Sequence, residues 1–308
     1  MRIGVVDLDT SHPQNWIPLE RELGHEVVGL WDGGDVHPPG YAEKFAAEHG
    51  VPRVFARLED MVPEVDCTII HGCDWDKHAA KARPFVQAGK AVLLDKPVAG
   101  TVRDLEEFRR WAASGARISG GSSLRFCCET QEWLGKSAQE RGTPHTVVCG
   151  CGVDEYNYGV HAYSLMAGIT GAGAATVRHL GAGVQRRVQV GWADGRMGIL
   201  VVGETPQWLP FWATIATERG VFWYQADSGR LYRALLERTL PYLAGQTDQA
   251  PLSIDELIEP ERWALAARLS WTQGDREVVL AELGPDDEGY DGAAFARGYR
   301  QKRYPNGW

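Results

Sequence analysis

The feature that most constrains this chain is the alternation, through its first 120 residues, of short apolar runs with stretches of helical periodicity. Apolar runs at 2–6, 26–31, 53–55, 66–70 and 91–94 have the length of buried strands. Between and after them, 12–23, 41–49, 77–88 and 101–114 repeat apolar residues at helical spacing. Strands separated by helices of this length join through right-handed crossovers, which predicts a parallel, doubly wound α/β sheet over 1–120. After Gly120-Gly121 the texture changes. A helix is expected at 129–140, a strand at 145–151 and a helical stretch at 159–169. Strand-like segments then follow at 176–180, 185–192, 196–203, 212–217 and 220–225 without helices between them. Ala193-Asp194-Gly195 makes one of the hairpin turns. Helical patterns return at 231–242, 261–273 and 292–300. The expected second domain, 121–290, is α+β with an open, mainly antiparallel sheet, and 291–308 is a helical tail.

With 308 residues there is room for two domains. A net charge of −9 leaves no basic stripe for phosphates, so nucleic acid is not an expected partner. Residues 1–7 already read as a strand, and no apolar run approaches the roughly 20 residues of a membrane span, so the expected location is cytoplasmic. The six cysteines fall in or beside strands and read as reduced, packed thiols. Cys149 and Cys151 face one side of a strand near His145, but structural zinc favours two tighter Cys pairs, and no metal is expected.

Ala91-Val92-Leu93-Leu94 ends abruptly in Asp95-Lys96-Pro97. In an open parallel sheet ligands bind beyond the carboxyl ends of the strands, where Asp95 and Lys96 emerge. Pro97 keeps Lys96 out of the helical region. After the first strand, G-x-G-x-x-G would let backbone amides approach a pyrophosphate; Asp7, Asp9 and His12 stand on the three glycine positions. Asp7-Leu8-Asp9-Thr10-Ser11-His12-Pro13 is instead a good helix start, and its carboxylates repel a phosphate. Two readings follow. Either a dinucleotide sits displaced on Thr10, Ser11 and helix amides, or Asp9 and His12 contact substrate or a cation. Asp32 ends the second strand where an acid holds adenosine ribose hydroxyls; Gly33 and Gly34 follow with no adjacent arginine, which favours NAD over NADP.

Val65-Asp66-Cys67-Thr68-Ile69-Ile70, His78 and the run from Gln87 to Pro97 together resemble the signature of the Gfo/Idh/MocA oxidoreductases, whose usual E-K-P stands here as Asp95-Lys96-Pro97. The resemblance is to a divergent branch carrying Asp9-Thr10-Ser11-His12 in place of the glycines. It implies a Rossmann domain followed by a sheet domain that forms dimers or tetramers of identical subunits. A second signature, D-x-G-x-H in the family, stands here as Asn157-Tyr158-Gly159-Val160-His161. The resemblance makes Lys96 and His161 the polar pair at the reacting carbon, with Asn157 in place of an acid and Tyr158, Tyr156 or water relaying the proton. It places His71, Gly72, Asp95, Lys96 and Pro97 beside the cofactor and sends Arg125 toward cofactor or substrate. Trp192, Trp208, Trp212 and Trp223 suit sugar stacking, core or subunit interface. The implied activity is NAD-dependent hydride transfer with a sugar, cyclitol or related polyol. The alternatives are a net non-redox enzyme holding NAD tightly and a non-catalytic ligand sensor.

Overall fold

The computed structural model describes residues 1–307. The alternation becomes β1 (Arg2–Val6), α1 (His12–Glu22), β2 (Glu26–Trp31), α2 (Tyr41–His49), α3 (Leu58–Met61), β3 (Cys67–Ile70), α4 (His78–Gln87), β4 (Ala91–Leu94), α5 (Val102–Ala113) and β5 (Ile118–Gly120). The five strands pair in parallel in the order β2-β1-β3-β4-β5. The loops after Val6, Trp31, Ile70 and Leu94 therefore share one edge, the edge where such sheets bind ligands. The strand expected at 53–55 is only a bridge between Val54 and Leu30. Phe55 is drawn into the core beneath Gly29, whose missing Cβ would lie 2.4 Å from the Phe55 ring. The three-residue β5 is too short to show a period in sequence. Gly120 at its end has φ +126, and a Cβ there would fall 2.0 Å from the Leu94 carbonyl oxygen, so only glycine lets β5 close beside the end of β4.

The second half builds α6 (Cys128–Gly135), α7 (Ala138–Arg141), β6 (Pro144–Gly150), α8 (Gly159–Thr170), β7 (Ala174–Ala182), β8 (Arg186–Trp192), β9 (Met197–Val202), β10 (Trp212–Thr217), β11 (Gly220–Gln225), α9 (Leu231–Leu243), α10 (Ile254–Thr272), β12 (Val278–Val279) and α11 (Gly292–Arg303). Its strands form one sheet in the order β11-β10-β6-β9-β8-β7-β12. All pairs are antiparallel except β6 with β9. The single helix expected at 129–140 breaks near Lys136 and restarts behind Ser137, whose capping box with Glu140 is a helix start. Helix α10 begins at Ile254 rather than 261, because the capping box of Ser253 and Glu256 nucleates it and Pro260 is accommodated inside.

Helix α8, buried along nearly all its length, lies on the mixed sheet with α10. Helix α9 crosses to the parallel sheet, setting Leu235, Leu236 and Leu240 against Ile3, Ile69 and Leu93. Helices α8, on the mixed sheet, and α9, on the parallel sheet, both pack on the turn Ser123–Phe126 that joins the two halves. Among the described residues no helix is long and apolar enough to cross a membrane.

Candidate active site

Burial of all four residues of β4 delivers Asp95 and Lys96 into the crevice. Asp95 is 2% exposed, and its Oδ1 accepts the Lys96 amide at 2.7 Å. Its Oδ2 meets the Nδ1 atoms of both His12 (2.5 Å) and His71 (3.0 Å). Burial alone would raise the Asp95 pKa, but the charge and hydrogen bonds of His12 and His71 hold it well below the usual carboxylate range. Burial pushes the His71 pKa down, with the hydrogen bond and charge of Asp95 opposing. The three donor atoms lie within 4.8 Å of one another, so the trio forms a hydrogen-bonded chain with the ligand types of a divalent metal site.

Lys96 Nζ donates to Asn157 Oδ1 (3.0 Å) and to the Asn157 carbonyl (3.2 Å), and sits 5.5 Å from the centre of the Tyr158 ring. His161, in the first turn of α8, has Nδ1 2.6 Å from Ser122 Oγ. Burial, and then the charge of Lys96, hold His161 well below its ordinary pKa, leaving a neutral imidazole that can accept a proton. Lys96 is itself pushed down by burial, with Asp95 opposing. Lys96, His161, His12 and Tyr158 line a cavity of about 210 Å³ walled by Trp208, Phe211 and Tyr232. Polar groups converge here between aromatic faces, an arrangement suited to a ring that carries hydroxyls.

Two contributors escaped the sequence reading. Ser122, which fixes the His161 ring, lies 39 residues away from it. Asp154 accepts the Tyr156 and Tyr158 amides at 2.9 Å, also binds the Asn157 side chain, and acts on Lys96 by its charge. Asp154 itself lines a neighbouring cavity with Asn157 and Tyr158 rather than the one shared by Lys96 and His161. Other expected residues stand elsewhere. The Tyr156 hydroxyl bonds Ala99 O and its ring stacks on Tyr290 in the core, which removes Tyr156 from any relay. Arg125 lines a different cavity, on the far side of its turn. Trp192 packs against Trp263, and Trp223 is exposed; of the four tryptophans Trp208 lines the pocket. Cys149 and Cys151 are buried thiols pushed up by burial, whereas His145 is exposed, so the three form no metal set.

Where a dinucleotide would run, the chain has filled the crevice with its own groups. Asp7 accepts Gly33 N (3.1 Å) and Lys81 Nζ (2.6 Å), and a Cβ on Gly72 would lie 2.6 Å from the Asp7 carboxylate. Asp9 Oδ2 accepts Cys73 N at 2.8 Å, bridging the loops after β1 and β3. Burial and the neighbouring Asp7 push its pKa up to about 7. Asp32, expected on ribose hydroxyls, lines a separate cavity of about 380 Å³ with Gly34 and His37, and burial then Asp7 push its pKa up to about 6. Lys77 joins Asp35 (2.5 Å) to Asp74 (3.2 Å). Helix α11 lies over this network, with Ala296 beside Val36 and Cys73. The Tyr304 hydroxyl meets His37 Nδ1 at 2.8 Å, and His37 Nε2 meets the Leu8 carbonyl at 3.0 Å. Thr10 Oγ1 accepts the His12 amide, and Ser11 is exposed without capping the helix by its side chain. A dinucleotide in the usual pose needs bare amides and open space between these loops; these residues do not fit it.

Residues 1–119 match the family model described as oxidoreductase family, NAD-binding Rossmann fold. Over those residues, the first domain of the chain, the sequence is thus similar to the Gfo/Idh/MocA oxidoreductases. A curated relative is the trans-1,2-dihydrobenzene-1,2-diol dehydrogenase of Oryctolagus cuniculus, 33% identical over 67 residues; the match spans 21% of this chain and 20% of that protein. Among solved structures, a scyllo-inositol dehydrogenase from Lactobacillus casei with bound NAD(H) and scyllo-inositol superposes with a TM-score of 0.74 at 15% identity, covering 92% of this chain and 99% of that one. An oxidoreductase from Thermotoga maritima gives 0.76 at 14% identity over 92% and 99%. At these identities the likeness is one of fold. The chain shares the two-sheet architecture of these structures, and its loops after β1 and β3 are bridged by Asp9 and Cys73.

Proposed function

We propose that this chain acts on a hydroxyl-bearing carbon of a small carbohydrate-like substrate, as the proton-handling pair of a polyol dehydrogenase does. The observation that carries this reading is a neutral His161, fixed by Ser122, sharing one aromatic-walled cavity with Lys96. A substrate hydroxyl seated between them gives its proton to His161. Lys96 stabilises the negative charge that develops on that oxygen. Asp154 and Asn157 hold the Lys96 ammonium in place, and Tyr158 covers it. Hydride transfer would need a nicotinamide cofactor such as NAD, and holding it would require the Asp9–Cys73 bridge and α11 to give way. The filled crevice supports a second reading, in which the same pair serves a net non-redox reaction such as proton abstraction beside a carbonyl.

The test is calorimetric titration with NAD and NADP, after absorbance and mass spectrometry have checked the purified chain for retained dinucleotide. NAD binding, followed by polyol-dependent reduction that falls at least about 100-fold in Lys96→Ala and His161→Ala, is the result expected of the dehydrogenase. A folded sample that neither binds nor retains a dinucleotide removes the redox reading and leaves the second.

A further inference from the structure

Arg125 is expected toward cofactor or substrate, yet it lines a cavity other than the one that Ser123 and Leu124 of the same turn share with Lys96. There it is 7% exposed, its side chain makes no hydrogen bond or ion pair among the described residues, and its Nη1 is buried without a partner. The carboxylates that act on it do so from a distance: none forms an ion pair with it, and each spends one oxygen on another partner. Glu256 accepts the Ser253 amide and hydroxyl, each at 2.8 Å. Glu259 accepts Gly173 N (2.8 Å), and Glu261 accepts Val98 N (3.0 Å). A buried guanidinium with no contacting partner is strongly unfavourable unless something else supplies one.

Arg125 opens into a cavity of about 510 Å³ lined also by Arg141, Arg196, Arg238 and Gln131, with Glu256 as the carboxylate. Four guanidiniums thus face one acid that is already committed to a helix cap, in a chain of net charge −9. Arg196 is accounted for by Asp194 (2.7 Å) and by the Thr170 carbonyl at the end of α8 (2.6 Å). The others are not. Arg141 lies over Trp133 and donates to Gly142 O at 3.4 Å, with its Nε buried and unpartnered. Arg238 donates to Gln131 at 3.4 Å.

We propose that this cavity binds a small organic oxyanion, a phosphate or carboxylate compound, on Arg125, Arg141 and Arg238. Planar guanidiniums recognise such groups through paired N–H donors. The volume exceeds the need of a bare inorganic ion, and Phe126 and Leu134 add apolar wall for a carbon skeleton. The site lies behind the turn whose Ser123 and Leu124 face the Lys96 cavity, so it is independent of the reaction proposed there.

The experiment measures melting temperature and calorimetric binding with inorganic phosphate and with citrate, at ionic strength held constant with potassium chloride. Saturable binding of either probe, one per chain, with a raised melting temperature is expected. Arg125→Met should abolish the shift, and without anion it should melt no lower than the parent, because an uncompensated buried charge has been removed. Arg238→Ala, at an exposed position, should weaken binding at least tenfold without loss of fold. An anion-free Arg125→Met that melts well below the parent would assign Arg125 a structural role and overturn the proposal. So would a shift that survives both substitutions, or a parent protein that responds to neither probe.

Discussion

Glu20 is where burial and charge conflict most openly. It sits on α1 with no exposure and with both carboxylate oxygens unpartnered, and burial pushes its pKa up to about 8, with Arg21 opposing. In the unfolded chain a glutamate loses its proton near pH 4.3. Its favourable contribution is therefore complete below that pH and drains away as pH rises to about 8, at up to roughly 1.4 kcal/mol per pH unit. Glu20→Gln keeps the shape and abolishes the titration. We expect it to gain about 2 kcal/mol or more over the parent at about pH 8 and little at about pH 4, read by urea unfolding at both; equal effects at the two pH values would refute the assignment. His161 offers a residue-scale prediction of its own. With burial and Lys96 holding it well below its ordinary pKa, its imidazole NMR signals should not titrate between about pH 5.5 and 8, and Lys96→Met should raise its pKa. Lys96 and His161 were legible in the sequence because each stands in a contiguous signature. Ser122 and Asp154 were not, since their roles exist only once distant turns meet.

At the scale of elements, α11 decides how the crevice is used. The helix was legible from its periodicity at 292–300, but nothing in that period says which surface it covers. It sets Ala296, 4% exposed, against Val36 and Cys73, and Tyr304 beyond its end binds His37. Ala296→Arg forces a long cation into that contact and should cost about 1–3 kcal/mol. Amide exchange should then rise across residues 33–37 and 72–77 while β1 to β5 stay protected, as read by mass spectrometry. Uniform exchange throughout would mean that α11 does not hold these loops. The same division marks what the sequence disclosed of the fold. Strands and helices buried on a regular face announce themselves locally. The parallel pairing of β6 with β9 and the early start of α10 depend on partners and caps that periodicity does not encode.

The whole molecule leaves one face of the mixed sheet apolar and open. Strand pairing aligns Trp223, Thr214, Val148 and Ile199 in one row across β11, β10, β6 and β9. Val221, Ala216, Thr146 and Met197 form the next. Val221 and Trp223 are 71% and 66% exposed, and Val148, Met197 and Ile199 are partly so. A wide apolar surface of this kind on a lone chain is a liability, and the partner that matches it without further invention is a second copy meeting it about a two-fold axis. We predict a dimer through this face. Each substitution there is placed twice at a two-fold interface, so Ile199→Glu brings two carboxylates into one desolvated patch while leaving the monomer core untouched. We expect sedimentation at micromolar concentration to show the parent as a dimer and Ile199→Glu as a folded monomer, with dissociation strengthened at least about 100-fold. A monomeric parent, or a variant that stays dimeric, would require a different occupant for the sheet or a different interface for the chain.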